Sequence, residues 1–244
     1  TCHFTMGGLW SDYDLQTSLP GLFVGGECGW NYHGANRLGA NSLLSASVDG
    51  WFTLPYSVPG FLAGRLGEEL PDDDDEVVTA AVERARDRVS ALLAVGGATG
   101  PEHFHRELGE ILYNGCGVTR TAEGLTEAIE KIRDLRARFW SDLRVTGGDG
   151  HLNPVLELAG RVADFLELAE LMCVDALDRD ESCGAHFRDE HQTPDGEALR
   201  RDDLWAFVSA WASDGDDRGG PRSFTRHAEP LVFEAVTLTS RDYR

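Results

Sequence analysis

The densest cluster of glycine, asparagine and basic residues runs from His33 to Leu44. In it Arg37 lies between glycines, and a helical pattern with Asn41 and Ser42 near its start follows directly. Glycine lets the backbone approach a ligand closely, and a helix N-terminus adds N–H donors and positive potential. The planar guanidinium of Arg37 suits a carboxylate held by two hydrogen bonds. The block therefore indicates an anion site, and the alternative is a glycine-rich turn with a surface arginine.

His3 and Glu27 have side chains that can bind a ligand, but each can also have a purely structural role. His3 opens the run His-Phe-Thr-Met-Gly-Gly, where a lone histidine either supports the fold or binds a ligand. Glu27 follows two glycines at the end of a predicted short buried strand, Gly21–Gly26. Acidic residues accept hydrogen bonds from a ribose in dinucleotide sites. The other interpretation of Glu27 is a solvated loop carboxylate.

The elements that position these residues divide the chain into three parts. Residues 1–70 hold the predicted strand and a helix from about Asn41, capped by Asn41 or Ser42. Residues 71–180 show apolar residues at helical spacing after a polar, acidic run. The four helices expected there run from about residue 76 to Gly96, over 101–113, over 121–144 and from Asn153 to about Asp180. Short turns between them predict an antiparallel bundle.

The remaining part, residues 181–244, alternates charged loops with two predicted strands. These strands lie near Trp205–Trp211 and Pro230–Thr239. Together the three parts predict an α/β segment, then an antiparallel α-helical bundle, then a small α+β segment.

Composition narrows the classes of function. Asp and Glu number 42 against 22 Lys and Arg, for a net charge of −20, which makes binding to a nucleic-acid backbone a poor prediction. No run of 18 apolar residues predicts a membrane span. The cysteines are odd in number, far apart and without a C-x-x-C pair, so neither a disulfide framework nor a metal or iron–sulfur site is expected. They are Cys2, Cys28, Cys116, Cys173 and Cys183.

Taken together, these blocks resemble the flavoprotein subunit of succinate dehydrogenase and fumarate reductase. The matching blocks, in chain order, are 3–8, 20–28, 33–44, 117–120, 181–188 and the ending Tyr243-Arg244. Their order and spacing resemble the C-terminal part of the family over nearly the whole chain. The resemblance implies a fragment of the FAD-binding domain in residues 1–70, the helical bundle in 71–180, and a C-terminal segment in 181–244 that packs on the bundle and on a partner subunit.

The resemblance also implies an activity and a site. Members of the family interconvert succinate and fumarate at FAD. By resemblance, His3 and Arg37 bind the carboxylates of the dicarboxylate substrate. The FAD-binding residues that it implies are Glu27, Asn41, Ser42 and Leu43. Electrons then pass through an iron–sulfur subunit to a cytochrome b-type membrane anchor and quinone. This places the protein in the cytoplasm, peripheral on the inner face of the cell membrane, with no nucleic-acid partner.

Two alternatives to the dehydrogenase stay open, one from departures from the family pattern and one from an enzyme with similar His, Glu and Arg blocks. The glycine-rich dinucleotide fingerprint and the proton-donating arginine of the family have no match in this chain, and Cys183 stands where many members carry arginine. An isolated chain of this kind is expected to be inactive, and an inactive orphan fragment is one alternative. The other is an enzyme similar to L-aspartate oxidase. The stretch Asp49–Tyr56 and the long segment after His186 favour the dehydrogenase branch.

Overall fold

The computed structural model describes residues 3–30, 32–213 and 223–239. In this part of the chain the structure is rich in helices and has one small sheet. The helices are α1 (Asn41–Val48), α2 (Leu54–Ala63), α3 (Glu76–Ala94), α4 (Pro101–Gly115), α5 (Ala122–Asp142), α6 (Pro154–Asp178) and α7 (Asp202–Trp205). The strands are β1 (Phe207–Ser213) and β2 (Phe224–Pro230). Cys2 and the matching pair Tyr243-Arg244 lie outside the described residues.

The chain before α1 is an irregular segment held by isolated backbone bridges. The prediction of a strand over Gly21–Gly26 is wrong, because only Phe23 forms a bridge there, with Gln16, and a 3-10 turn begins at Gly26. The physical reason is the backbone of its two terminal glycines. Gly21 and Gly26 have φ angles of +87° and +65°, which end an extended strand on both sides.

Helix α1 starts where the sequence predicts, at Asn41, and continues into α2 through a wider π-helical turn, Asp49–Thr53. Pro59 lies inside α2. The sequence pattern predicts the start of this helical stretch but not its end, and it does not separate α2 from α1.

Helices α3 to α6 form at the predicted places, and three of them supply most of one apolar core. The cap of α6 is Asn153, as predicted, and its side chain accepts from two first-turn N–H groups. The buried residues of α4, α5 and α6 recur at helical spacing, so each helix turns one stripe inward. Helix α3 contributes only Leu92 to this core, and Val82 on the same helix is 41% exposed.

Charged contacts also join these helices. Arg138 on α5 pairs with Glu107 on α4 at 2.7 Å, and Ala128 lies against Gly115 at the end of α4. These two contacts show that α4 and α5 run in opposite directions. Between α5 and α6, the fully buried Glu170 pairs with Arg136 and, at 2.7 Å, with Arg133.

Strands β1 and β2 pair antiparallel, with Phe207 opposite Pro230 and Ser213 opposite Phe224. The predicted first strand overlaps β1. The second prediction, Pro230–Thr239, is wrong, because β2 ends at Pro230 and pairs along the whole of β1. None of the helices in the described ranges is long and apolar enough to cross a membrane.

Candidate functional site

Arg37 lies half-buried against an aromatic ring with one of its donors unused. Its guanidinium carbon is 5.3 Å from the centroid of the Phe4 ring, and Nη1 donates to the Leu38 carbonyl at 3.2 Å. Its Nε is buried and has no hydrogen-bond partner within the described part of the chain. A buried cationic donor without an acceptor suits an anionic ligand, because an ionised acceptor makes the strongest hydrogen bond to it.

Phe4 also joins the two segments that carry His3 and Arg37. The edge of its ring meets the His33 imidazole at a centroid distance of 5.1 Å, and Arg37 lies over its face. The exposed His3 directly precedes Phe4 in the chain. The structure therefore brings the segment of His3 against the loop of Arg37, as the predicted site requires.

The loop before α1, residues 33–40, has an unusual backbone. His33 has a φ of +72°, which is uncommon for a residue with a Cβ, and Gly34 follows at +53°. The His33 Nε2 is 3.3 Å from the Ser45 hydroxyl on α1. His33 entered the sequence analysis only as the first residue of a motif, and the structure gives it a role in fixing the loop to the helix.

The N-terminus of α1 is uncapped. Ala40, with a φ of +64°, takes the cap position, so the prediction that Asn41 or Ser42 caps the helix is wrong. Alanine has no side-chain oxygen to accept from the first turn, and the amides of Ser42 and Leu43 keep their donor capacity there. Such a helix end presents donors and a partial positive charge to a ligand.

Glu27 lies in the 3-10 turn Gly26–Cys28, close to the segment of His3. Its Oε1 accepts a hydrogen bond of 3.0 Å from the Thr5 N–H. The carboxylate is exposed, and its partner Thr5 directly follows Phe4, whose ring lies against Arg37. The structure thus places Glu27 near the predicted site, and its contact with Thr5 is one that the sequence did not suggest.

Asp49 is a buried residue of the site that the sequence analysis missed. It is 1% exposed, and its Oδ2 accepts from the Gly26 N–H at 2.7 Å. Its Oδ1 accepts from the hydroxyl of Tyr32. Burial, this hydrogen bond and the carboxylate charge together raise the pKa of Tyr32. Asp49 therefore holds the turn before Glu27 and the start of the Arg37 loop at once.

A turn from the far end of the chain touches the same loop. The Ala185 N–H donates to the Ala35 carbonyl at 2.8 Å. Next to it, Gly184 has a φ of +59°, and a Cβ built there would lie 2.4 Å from the Ala35 oxygen. This contact reaches the backbone two residues before Arg37.

Comparisons with known proteins point to one family. Sequence models match residues 105–243 as fumarate reductase flavoprotein C-term and residues 1–43 as FAD binding domain. The succinate dehydrogenase flavoprotein subunit of Bacillus subtilis (strain 168) is 34% identical over 83% of this chain and 33% of its own length. The fumarate reductase flavoprotein subunit of Escherichia coli (strain K12) is 32% identical over 77% of this chain and 30% of its own.

Solved structures agree with these relatives. A quinol fumarate reductase of E. coli superposes with a TM-score of 0.79 at 28% identity, covering 98% of this chain and 38% of its own. The Mycobacterium smegmatis Sdh1 complex in the apo form superposes with a TM-score of 0.76 at 30% identity. The match covers 94% of this chain and 36% of the solved chain. The L-aspartate oxidase of Synechocystis sp. is also 30% identical, over 76% of this chain and 33% of its own length. The chain spans about a third of the length of these curated relatives.

Proposed function

Because the chain belongs to the succinate dehydrogenase and fumarate reductase flavoprotein family, we propose that it supplies the substrate-binding side of an FAD-dependent oxidoreductase that interconverts succinate and fumarate. The observation that carries this proposal is the buried Nε of Arg37, which has no partner among the described residues and lies in a loop that contacts the segment of His3. An anionic substrate would give that donor its acceptor.

The residues of this chain fit FAD. In our proposal Glu27 accepts from the ribose. The first turn of α1, at Asn41, Ser42 and Leu43, faces the pyrimidine edge of the flavin, and the amides of Ser42 and Leu43 donate to it, because the Asn41 N–H already donates to the Leu38 carbonyl. The uncapped helix end supports this, because its donors and partial positive charge stabilise negative charge on a ligand. When bound, the flavin supplies the hydride chemistry of the reaction.

Arg37 and His3 act on the substrate in this proposal. A dicarboxylate has two charged ends, and a single arginine cannot orient both of them. Arg37 binds one carboxylate with its planar fork, and His3 donates to the other. Phe4 shields the face of the guanidinium from water, which strengthens the attraction for an anion. Holding both ends fixes the central carbons of the substrate, and such orientation supplies a large share of the rate.

We also propose that the protein works within a membrane-associated complex, with an iron–sulfur subunit and a cytochrome b-type membrane anchor that exchanges electrons with quinone. The solved relatives are a quinol fumarate reductase and an Sdh1 complex, which supports this assembly. Through these subunits the protein would lie on the inner, cytoplasmic face of the cell membrane.

The proposed division of the chain follows the same family pattern, with a flavin-domain part in residues 1–70, an antiparallel helical bundle in 71–180 and a C-terminal segment in 181–244. Two observations support this division. The apolar core cluster has its members between Leu92 and Ala176, and α4 and α5 run in opposite directions.

Activity measurements on the complete flavoprotein that contains this chain, with Arg37 changed to lysine, test the function. Lysine keeps the charge but loses the fork, so we expect succinate-dependent dye reduction to fall about ten- to hundredfold while flavin content stays unchanged. Arg65 offers a matched control, because its guanidinium also lies over a ring, 4.5 Å from the centroid of Phe61. Arg65→Lys should keep normal turnover. Near-normal activity of Arg37→Lys would contradict the role of Arg37.

The similarity to L-aspartate oxidase supports a second candidate, a flavoenzyme that oxidises L-aspartate. The same preparation decides between the two substrates. Reduction of the flavin by succinate and not by L-aspartate supports the dehydrogenase, and the reverse supports the oxidase. Reduction by neither substrate would contradict both candidate functions.

A further inference from the structure

The turn Cys183–His186 touches the loop of Arg37 through backbone atoms. Ala185 donates to the Ala35 carbonyl, and the space beside Gly184 is filled by Ala35 itself, whose O, C and Cβ atoms lie within 2.8 Å of a built Cβ. The left-handed φ of Gly184 is what lets the turn come so close. The contact therefore requires glycine at position 184, and it does not depend on the side chains of the neighbouring residues.

The turn is itself rigid. Cys183 and His186 exchange backbone hydrogen bonds of 2.8 and 3.1 Å. The Nε2–H of His186 donates to the Arg179 carbonyl at 3.0 Å, so its Nδ1 accepts from Arg120 at 3.1 Å. Burial lowers the pKa of His186, which agrees with a neutral ring that both donates and accepts.

This turn is fastened to the helical core. The Ser182 hydroxyl, fully buried, accepts from the Arg188 N–H at 2.8 Å. The Arg188 side chain is 3% exposed and donates to the Ala176 carbonyl on α6 at 3.1 Å. On the other side, Arg120 just before α5 exchanges backbone hydrogen bonds with Phe187 and Asp189. Residues 182–189 thus form a strut with its base on α5 and α6.

The loop on which the strut acts needs outside support. It contains Gly34 and Gly39, and its His33 and Gly34 have positive φ angles. A loop with such residues samples many conformations unless contacts restrict it.

We propose that the Gly184–Ala185 turn is a positioning element for Arg37, which holds the substrate-binding loop at a place set by the helical core. This inference rests on the proposed role of Arg37. It adds a determinant of dicarboxylate affinity that lies about 150 residues away in the chain and does not touch the substrate.

Two glycines of the C-terminal segment provide the test variant and its control. Gly184→Ala places a Cβ against the Ala35 carbonyl in a left-handed backbone. Gly196→Ala introduces the same backbone strain at a φ of +82°, but the nearest atom to its Cβ is the Gln192 Oε1 at 3.8 Å. Both variants place alanine in a left-handed backbone conformation. Only the Gly184→Ala variant also brings a Cβ into steric conflict with the loop of Arg37.

The first measurement uses the complete flavoprotein and needs no substrate. Hydrogen exchange followed by mass spectrometry should show faster exchange in peptides covering residues 33–40 and 183–188 for Gly184→Ala and not for Gly196→Ala. Equal exchange of both variants in these peptides, with equal thermal midpoints, would overturn the contact as a support of the loop.

The second measurement uses the complete flavoprotein. Gly184→Ala should weaken malonate binding, followed by the flavin spectrum, by about ten- to hundredfold, with FAD content and thermal midpoint equal to those of Gly196→Ala. Unchanged malonate affinity in Gly184→Ala overturns the positioning role. If the parent protein itself binds no malonate, the proposed function fails instead, while the exchange experiment still decides on the contact.

Discussion

The buried Nε of Arg37 has a cost in the free protein. A buried donor without an acceptor costs about 1–3 kcal/mol, and the cost is higher when the group is charged. A carboxylate beside Arg37 would remove this cost and would add a charge-assisted hydrogen bond. The same donor would gain less from a neutral ligand. In the proposed role, Arg37 would therefore favour an anion over a neutral ligand.

His3 offers a prediction at the same scale. In the complete flavoprotein, His3→Ala should weaken malonate binding and leave flavin in place, because the variant lacks the proposed donor to the second carboxylate. Losing one hydrogen bond to a charged partner costs about 1.5–3 kcal/mol, which is roughly ten- to hundredfold in the specificity constant. Malonate titration of the flavin spectrum measures the effect.

His151, an exposed histidine in the loop before α6, is the control for this change. His151→Ala should bind malonate as tightly as the parent. If His3→Ala also keeps its malonate affinity and only its thermal midpoint falls, His3 supports the fold, and its assignment as a substrate ligand is wrong.

Not every residue of the site was visible in the sequence. Arg37 and Glu27 stood out because glycines surround them and because glycine next to a charged residue is typical of ligand-binding loops. Asp49 did not stand out, since its two partners, Gly26 and Tyr32, are 23 and 17 residues away. The sequence around it predicts a helix, and an acidic residue on a helix is usually solvated. Only the packed structure shows that it is buried.

At the scale of an element, the N-terminus of α5 is held from two directions. The Thr121 hydroxyl caps it by accepting from the Gly124 N–H at 3.0 Å. Glu190, which directly follows the strut of residues 182–189, accepts a hydrogen bond from the Ala122 N–H. The negative charge of Glu190 also suits the positive end of the helix.

Glu190→Gln should lower stability in a pH-dependent way. Burial raises the pKa of Glu190, but hydrogen bonds from Ala122 and Arg188 outweigh burial and lower it from 4.5 to about 2. Because the folded pKa lies below the unfolded value, this stabilisation is complete above pH 4.5 and is lost as the pH falls towards 2. The side chain is 39% exposed, so we expect an effect of about 1 kcal/mol or less at pH 7.

Thermal unfolding of the parent and of Glu190→Gln between pH 7 and pH 2 measures this difference. The two midpoints should differ at pH 7 and converge below pH 4.5. Glu123→Gln removes an exposed carboxylate from the same first turn of α5 and is the control for the helix charge alone. A gap between parent and Glu190→Gln that stays constant down to pH 2 would contradict the linkage.

Elements differ in how well the sequence predicts them. Helices α4, α5 and α6 were predicted to within a few residues, because their buried residues repeat at helical spacing and Pro101 and Asn153 mark two of the starts. Strand β2 was missed because it carries Arg226, His227 and Glu229, so its sequence lacks the apolar pattern that predicts a strand. The position of β2 is set by its pairing with β1. The local sequence pattern does not predict pairing between segments that are separated in the chain.

At the scale of the whole molecule, the parts of the chain are stabilised unequally. The apolar core cluster has its members between Leu92 and Ala176, whereas Leu15 and Val24 are the buried apolar residues of the described residues before α3. The same part exposes large apolar side chains. They include Tyr13, Leu43, Trp51, Phe52 and Tyr56. The segment that carries the site therefore has little core of its own.

We expect the purified chain of 244 residues not to retain stoichiometric FAD. The resemblance implies that a glycine-rich fingerprint binds the adenine and pyrophosphate, and this sequence has no match to it. In our proposal Glu27 and the start of α1 contact only other parts of the cofactor. Absorbance near the flavin bands after gel filtration with excess FAD measures retention. One bound flavin per chain would contradict the prediction, and the complete flavoprotein, which should be yellow, is the positive control.

The hydrogen bond between Ala185 and Ala35 also sets an order in time. The two residues are about 150 positions apart, so a ribosome that adds about 5–20 residues per second makes Ala185 roughly 8–30 seconds after Ala35. Local contacts within α4, α5 and α6 form in far less than that interval. The contacts of His33 with Ser45 and of Tyr32 with Asp49 are therefore available early, whereas the contact of the loop with Ala185 forms only after Ala185 has been synthesised.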